Sequence, residues 1–177
     1  MKFPLFVIGY MASGKTTFGK ALADATRLDF VDLDELIEIS EGMSVSMIFK
    51  NFGEKRFRDI EKRILHSIAG KDRLIVACGG GTPCYFDNMD FMNANGTTLW
   101  LDTSLPVLLR RLKEDNANRP LLAGKSDSEL LSSITSQIEK RKPFYSKSQL
   151  RLNGDKLENA NEINETVSSF LQRIPLS

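Results

Sequence analysis

The sequence predicts an α/β fold built on a parallel sheet, and two observations carry that prediction. Five short apolar runs, near residues 4–9, 28–31, 73–78, 97–101 and 149–152, alternate with segments of helical period. The first run leads straight into Gly9-Tyr10-Met11-Ala12-Ser13-Gly14-Lys15-Thr16, a G-x-x-x-x-G-K-T turn that opens a helical stretch. Strand, glycine-bearing turn and helix start is the order in which a βα unit presents its turn to a phosphate.

The first strand is Leu5-Phe6-Val7-Ile8, apolar throughout, as expected of a strand covered on both faces. After the turn, Phe18, Ala21, Leu22 and Ala25 recur at helical spacing. Leu28-Asp29-Phe30-Val31-Asp32-Leu33-Asp34 begins as the second strand. Residues 53–71 form a helix with Phe57, Ile60, Ile64, Leu65 and Ile68 on one face. Leu74-Ile75-Val76-Ala77-Cys78 is a buried strand that ends in Gly79-Gly80-Gly81, and Thr98-Leu99-Trp100-Leu101 is another. A polar, glycine-bearing loop spans about residues 113–126. A helix over 128–141 follows, with Leu131, Ile134 and Ile138 in register. A last helix is marked by Ile163, Val167, Phe170, Leu171 and Ile174.

A length of 177 residues fits one domain over 1–177 with room for a good core. Lys and Arg number 24 against 23 Asp and Glu, a net charge of +1, which provides no bulk basic field for nucleic acid or a membrane surface. No apolar run approaches the roughly 18 residues of a membrane-spanning helix. Met1-Lys2-Phe3-Pro4 leads directly into a strand, so a cytoplasmic protein is expected, and its size and charge fit a monomer. The two cysteines, Cys78 and Cys84, lack metal or redox spacing; Cys78 reads as core, and Cys84 as a loop thiol near the glycines. His66, the one histidine, falls on the polar side of its helix and is expected in solvent.

The chemistry starts at the turn. Successive backbone N–H groups and the helix N-terminus attract anions, and glycine lets the main chain come close to them. Lys15 sets a point charge on the terminal phosphates, and the Thr16 hydroxyl offers a hard oxygen to Mg²⁺. The ligand class is therefore a nucleoside triphosphate with Mg²⁺. Asp32 and Asp34 lie past the second strand, where ligands gather in open parallel sheets. Three tasks stand for them: a partner for Mg²⁺, an acceptor for a substrate hydroxyl, or a helix cap at Asp34. Arg58 borders the apolar face of its helix, and Arg141 extends that of another; each needs a protein carboxylate or an anionic substrate. Gly79-Gly80-Gly81 marks a close ligand approach or a tight turn before Pro83. Arg119, among the breakers of the 113–126 loop, stands either on a mobile lid facing a transferring phosphoryl group or on a plain surface loop.

Together these motifs resemble the shikimate kinase family. They are the P-loop, Asp32-Leu33-Asp34, Phe57-Arg58-Asp59-Ile60-Glu61, Gly79-Gly80-Gly81, Arg119-Pro120-Leu121-Leu122 and Arg141-Lys142-Pro143-Phe144-Tyr145. They stand in the family's order and approximate spacing over nearly the whole chain. The resemblance implies a three-layer P-loop kinase fold with a five-stranded parallel sheet and a mobile lid. It implies ATP-dependent phosphorylation of the 3-hydroxyl of shikimate on the route to chorismate and the aromatic amino acids. By motif position, Ala12, Ser13, Gly14, Lys15, Thr16, Thr17, Arg111 and Arg119 serve ATP, and Thr16 and Asp32 serve Mg²⁺. Asp34, Arg58, Gly79, Gly80, Gly81 and Arg141 serve shikimate. Lys15, Asp34 and Arg119 are the expected catalytic residues, with Asp34 as the base.

Some positions depart from the family. Ala12 stands where a further glycine is usual, and Gln149 where alanine is usual. The stretch from Arg111 to Arg119 is about one residue longer, leaving Arg110 as an alternative to Arg111, and residues 153–158 carry no diagnostic adenine contact. Two rivals remain. Another small-molecule P-loop kinase would lack the arginine pair and the triple glycine. A slow nucleotide-hydrolysing regulatory module would need no second polar pocket.

Overall fold

The computed structural model describes residues 1–114 and 127–174. Among these, five strands, β1 (Leu5–Ile8), β2 (Asp29–Asp32), β3 (Leu74–Ala77), β4 (Thr97–Asp102) and β5 (Leu150–Asn153), form one parallel sheet in the order β2-β3-β1-β4-β5. Each falls on one of the five apolar runs. Among the described residues seven helices flank the sheet: α1 (Lys15–Thr26), α2 (Leu33–Glu41), α3 (Val45–Ser67), α4 (Asn88–Asn95), α5 (Leu105–Glu114), α6 (Asp127–Tyr145) and α7 (Ala160–Arg173). A short 3₁₀ turn, Thr82–Cys84, follows the glycines.

Alternation along β1 divides the core into two layers. Leu5 and Val7 pack with Phe18 and Leu22 of α1 and Val167 and Phe170 of α7. Phe6 and Ile8 pack on the other face with Leu33, Ile37, Ile60, Leu65, Leu108 and Tyr145. All four β1 side chains are fully buried, each stabilising the fold by about 1.5–3 kcal/mol. Helices on both faces make the three-layer arrangement. The chain winds from β1 out to β2, back to β3, then past β1 to β4 and β5. The order reverses around β1, so a crevice opens at its C-terminal end, where the Gly9–Thr16 turn lies.

Local chemistry sets the element ends. Gly14 (φ 94°) takes the left-handed conformation that lets α1 start at Lys15. The Asp32 side chain accepts from the Asp34 amide, so Asp32, not Asp34, caps α2. A helix starts at Leu33, so the turn from strand to helix, and not alternation along a strand, places Asp34. Gly53 (φ 75°) breaks α3 in two, which accounts for a helical pattern that begins at residue 53. His66 departs from expectation: its ring stacks on Phe91 at 3.7 Å and 4°, and its Nε2 is buried without a partner. The polar face of α3 is there covered by α4, an eight-residue element whose interleaved Asn and apolar residues gave no helical stripe.

Candidate active site

The crevice is a cavity of about 750 Å³ lined from both sides of the switch point. Ala12, Gly14, Lys15, Thr16 and Thr17 line it from the turn and α1, Asp32 and Asp34 from the β2–α2 junction, Gly79 and Gly80 from the end of β3, and Arg111 from α5. Ser13 does not line it. Its side chain is buried, its Oγ is unpaired, and its carbonyl accepts from the Thr103 hydroxyl at 3.0 Å. Ala12 holds φ at 61°, a left-handed conformation that a side chain makes costly. Lys15 Nζ donates to the Tyr10 carbonyl at 2.9 Å, which bends its charge back over the turn.

Asp32 ties the turn to α2. One carboxylate oxygen accepts from the Thr16 hydroxyl at 2.8 Å, and the other from the Asp34 amide at 3.0 Å. Thr16 Oγ1 and Asp32 Oδ2 are thus two hard oxygens side by side on the cavity wall. No cluster of three or more His, Cys, Asp or Glu stands ready for a metal among the described residues. That donor set suits Mg²⁺, which takes one or two protein oxygens and fills its shell with phosphate and water. Asp34 lies deeper. Burial, then the charges of Asp32 and Glu61, raise its pKa to about 6 against the pull of Lys15.

The glycines explain themselves by their neighbours. A Cβ on Gly79 would lie 3.2 Å from Asp34 Oδ1 and 3.1 Å from Glu61 Oε1. One on Gly80 would lie 3.2 Å from Arg141 Nη1, and one on Gly81 2.8 Å from Arg58 Nη2. Two guanidiniums therefore converge on consecutive glycines beside Asp34. Arg58 is fixed by Glu61 at 2.9 Å and Glu54 at 3.1 Å and lies 4.0 Å from the Tyr85 ring centre. Glu61 is fully buried and also accepts from the Thr82 hydroxyl at 2.6 Å. Arg141 lies over the Tyr10 ring, 5.3 Å from its centre. Cys84, beside this group, has its thiol pushed up to about 11, chiefly by burial, which favours the protonated form near neutral pH.

On the wall formed by α5 and the segment after β5, Arg111 and not Arg110 lines the cavity. Arg111 donates to the Ala12 and Gly154 carbonyls at 3.2 and 3.1 Å and to Glu158 at 2.9 Å, whereas Arg110 is half exposed and meets Glu158. Arg119 and residues 115–126 of the expected lid lie outside the described residues. Sequence reasoning missed several contributors. Glu61, three residues after Arg58 on one helix, carried a usable signal. Gln137, four residues before Arg141 on α6, carried the same kind of signal, whereas Glu158, Thr82 and Tyr10 carried none, because Arg111, Glu61 and Gln137 lie 47, 21 and 127 residues away from them.

The sheet topology and the glycine-bearing turn at its centre define a P-loop kinase fold. The family model described as shikimate kinase matches residues 11–174. The shikimate kinase of Phocaeicola vulgatus is 45% identical over 170 residues, covering 96% of this chain and 97% of that protein. The crystal structure of shikimate kinase from Bacteroides thetaiotaomicron superposes with a TM-score of 0.93 at 41% identity, over 97% of this chain and 98% of that one. Shikimate kinase from Acinetobacter baumannii, solved in complex with shikimate, gives a TM-score of 0.83 at 28% identity, over 98% and 94% of the two chains. The chain belongs to the shikimate kinase family.

Proposed function

We infer that this enzyme transfers the γ-phosphoryl group of ATP to the 3-hydroxyl of shikimate, releasing ADP and shikimate 3-phosphate, with a division of labour among its own residues. The convergence of Arg58 and Arg141 on Gly81 and Gly80, next to Gly79 and Asp34 and with Gly80 against the backbone of the turn at Gly9 and Met11, is the observation that carries it. A guanidinium pair fits a carboxylate, a carboxylate fits a hydroxyl, and the turn fits a triphosphate. In this reading Asp34, reached past Gly79, orients the acceptor hydroxyl and takes its proton. Lys15 and the amides of the turn, with Thr17 and Arg111 at its flank, hold ATP. Thr16 and Asp32 hold Mg²⁺, which neutralises phosphate charge when bound. Arg119 is assigned to the transferring phosphoryl group by its motif alone.

Phosphoryl transfer through a loose transition state asks mainly for positioning and charge stabilisation. The fixed Arg58–Glu61 pair and the Asp32 bridge supply positioning without further movement of those side chains. Two free cysteines, Cys78 and Cys84, fit a reducing cytoplasm, where the enzyme works as a monomer. ATP consumption with Mg²⁺ is the test, run with shikimate, quinate, gluconate, AMP and no acceptor. Turnover with shikimate is expected. Preference for gluconate or AMP, or hydrolysis that no acceptor changes, would overturn the substrate reading.

A further inference from the structure

We propose that Tyr10 and Gln137 are positioning residues that aim the Arg141 guanidinium at the acceptor's carboxylate. This rests on the reading of Arg141 as a carboxylate ligand. Tyr10 belongs to the phosphate-binding turn, yet its ring and hydroxyl face away from the triphosphate side toward α6. The ring is 4% exposed, its centre 5.3 Å from Arg141 Cζ. Its hydroxyl donates to Gln137 Oε1 at 3.1 Å. Arg141 Nη2 reaches the same oxygen at 3.5 Å, one helical turn along α6. Gln137 Nε2 in turn donates to the Ser133 hydroxyl at 3.3 Å, which fixes the sense of the amide and leaves Oε1 as the acceptor for both donors.

A guanidinium on a long stem costs rotamer entropy to hold in one orientation. Here two weak restraints act together on it. The aromatic face of Tyr10 sets the plane's location through cation–π attraction. The Gln137 carbonyl takes one Nη2 hydrogen and leaves Nη1, which lies 3.2 Å from where a Cβ of Gly80 would be, turned toward the glycines. Gly80 is itself held from the same helix, since the Tyr145 hydroxyl donates to its carbonyl at 2.5 Å. The acceptor's anion site is thus pre-ordered by a residue of the nucleotide loop, and neither Tyr10 nor Gln137 needs to touch the substrate.

A double-mutant cycle tests this, with Kd for shikimate from calorimetry and steady-state constants for both substrates. Gln137→Leu is expected to raise Kd and KM for shikimate about fivefold, as befits one long charge-assisted bond, with kcat and KM for ATP within about twofold. Tyr10→Phe keeps the ring and loses only the hydroxyl, and is expected to raise the same constants about twofold. In an Arg141→Ala background, neither change should add more than a small further loss, because both act through Arg141. Equal losses with and without Arg141, or a loss shared by ATP and kcat, would overturn the positioning role. If Arg141→Ala itself leaves shikimate binding unchanged, the carboxylate reading fails first and the positioning role with it. If Arg141→Ala weakens binding while both other variants bind normally, only the positioning role falls.

Discussion

Asp34 shows how strongly its neighbours act on a single residue of the cavity wall. Its neighbours raise its pKa from 3.8 to about 6, by burial first and then by Asp32 and Glu61. A carboxyl shifted upward binds its proton more tightly in the folded protein than in the unfolded chain. The stability this contributes is present in full below pH 3.8 and is lost as pH rises through about 6. Above pH 7 the ionised group opposes folding by up to about 3 kcal/mol. Asp34→Asn removes that opposition. In ligand- and metal-free buffer the variant should therefore be more stable than its parent at pH 8, by about 1–3 kcal/mol, and no more stable below pH 4. Its turnover should fall by about 10²–10⁴, with ATP affinity kept. Denaturant titrations at the two pH values and steady-state assays read both halves. Normal turnover would remove Asp34 from the mechanism, and a less stable variant at pH 8 would remove the electrostatic account.

At the scale of elements, the site is made of ends and junctions: the turn after β1, the β2–α2 corner, the glycines after β3 and two helix faces. Gly81 illustrates the coupling. The Arg58 guanidinium occupies the space where its Cβ would go, and Glu54 and Glu61 hold the arginine from behind. Gly81→Ala should then push the guanidinium aside and weaken shikimate binding about tenfold, the order expected for disturbing a charge-assisted pair, while KM for ATP stays within about twofold. Unchanged shikimate affinity would show that Arg58 yields without cost. Such junctions were only partly legible beforehand. The strands could be read because a parallel sheet buries both faces and leaves continuous apolar runs. The glycine run and Arg58 stood out because each broke a local rule, three costly glycines in one case and a charge beside an apolar stripe in the other. Helices α2, α4 and α5 gave weaker signals: α2 follows the strand with no intervening breaker, α4 is only eight residues long with its apolar residues interleaved with asparagines, and α5 opens on Leu105-Pro106. The Tyr10–Gln137 and Arg111–Gly154 contacts join positions 127 and 43 residues apart, which no local pattern encodes.

The whole molecule concentrates its chemistry at one end of the sheet. At the C-terminal end, Cys78 donates to the Val7 carbonyl, Thr82 to that of Gly79 and Gly154 to that of Asp102. At the opposite end, Asp29 donates to the Arg73 carbonyl and Thr97 to that of Pro4. The crevice draws one wall from β3 and the β2–α2 corner and another from α5 and the segment after β5, so bound ligands bridge both sides of β1. Openings that separate these walls must release ligand, whereas fraying at the far end need not. At about 100 times Kd, a ligand opposes such an opening by about 2.7 kcal/mol, or roughly 100-fold in exchange. Mg²⁺, a non-hydrolysable ATP analogue and shikimate together should therefore slow amide exchange at Cys78, Thr82 and Gly154 by at least that factor, while Asp29 and Thr97 change little. Uniform slowing at both ends would mean that ligands tighten the fold as one unit. No slowing at Thr82 would contradict the placing of the acceptor against the glycines, because that amide closes the turn on which Gly80 and Gly81 sit.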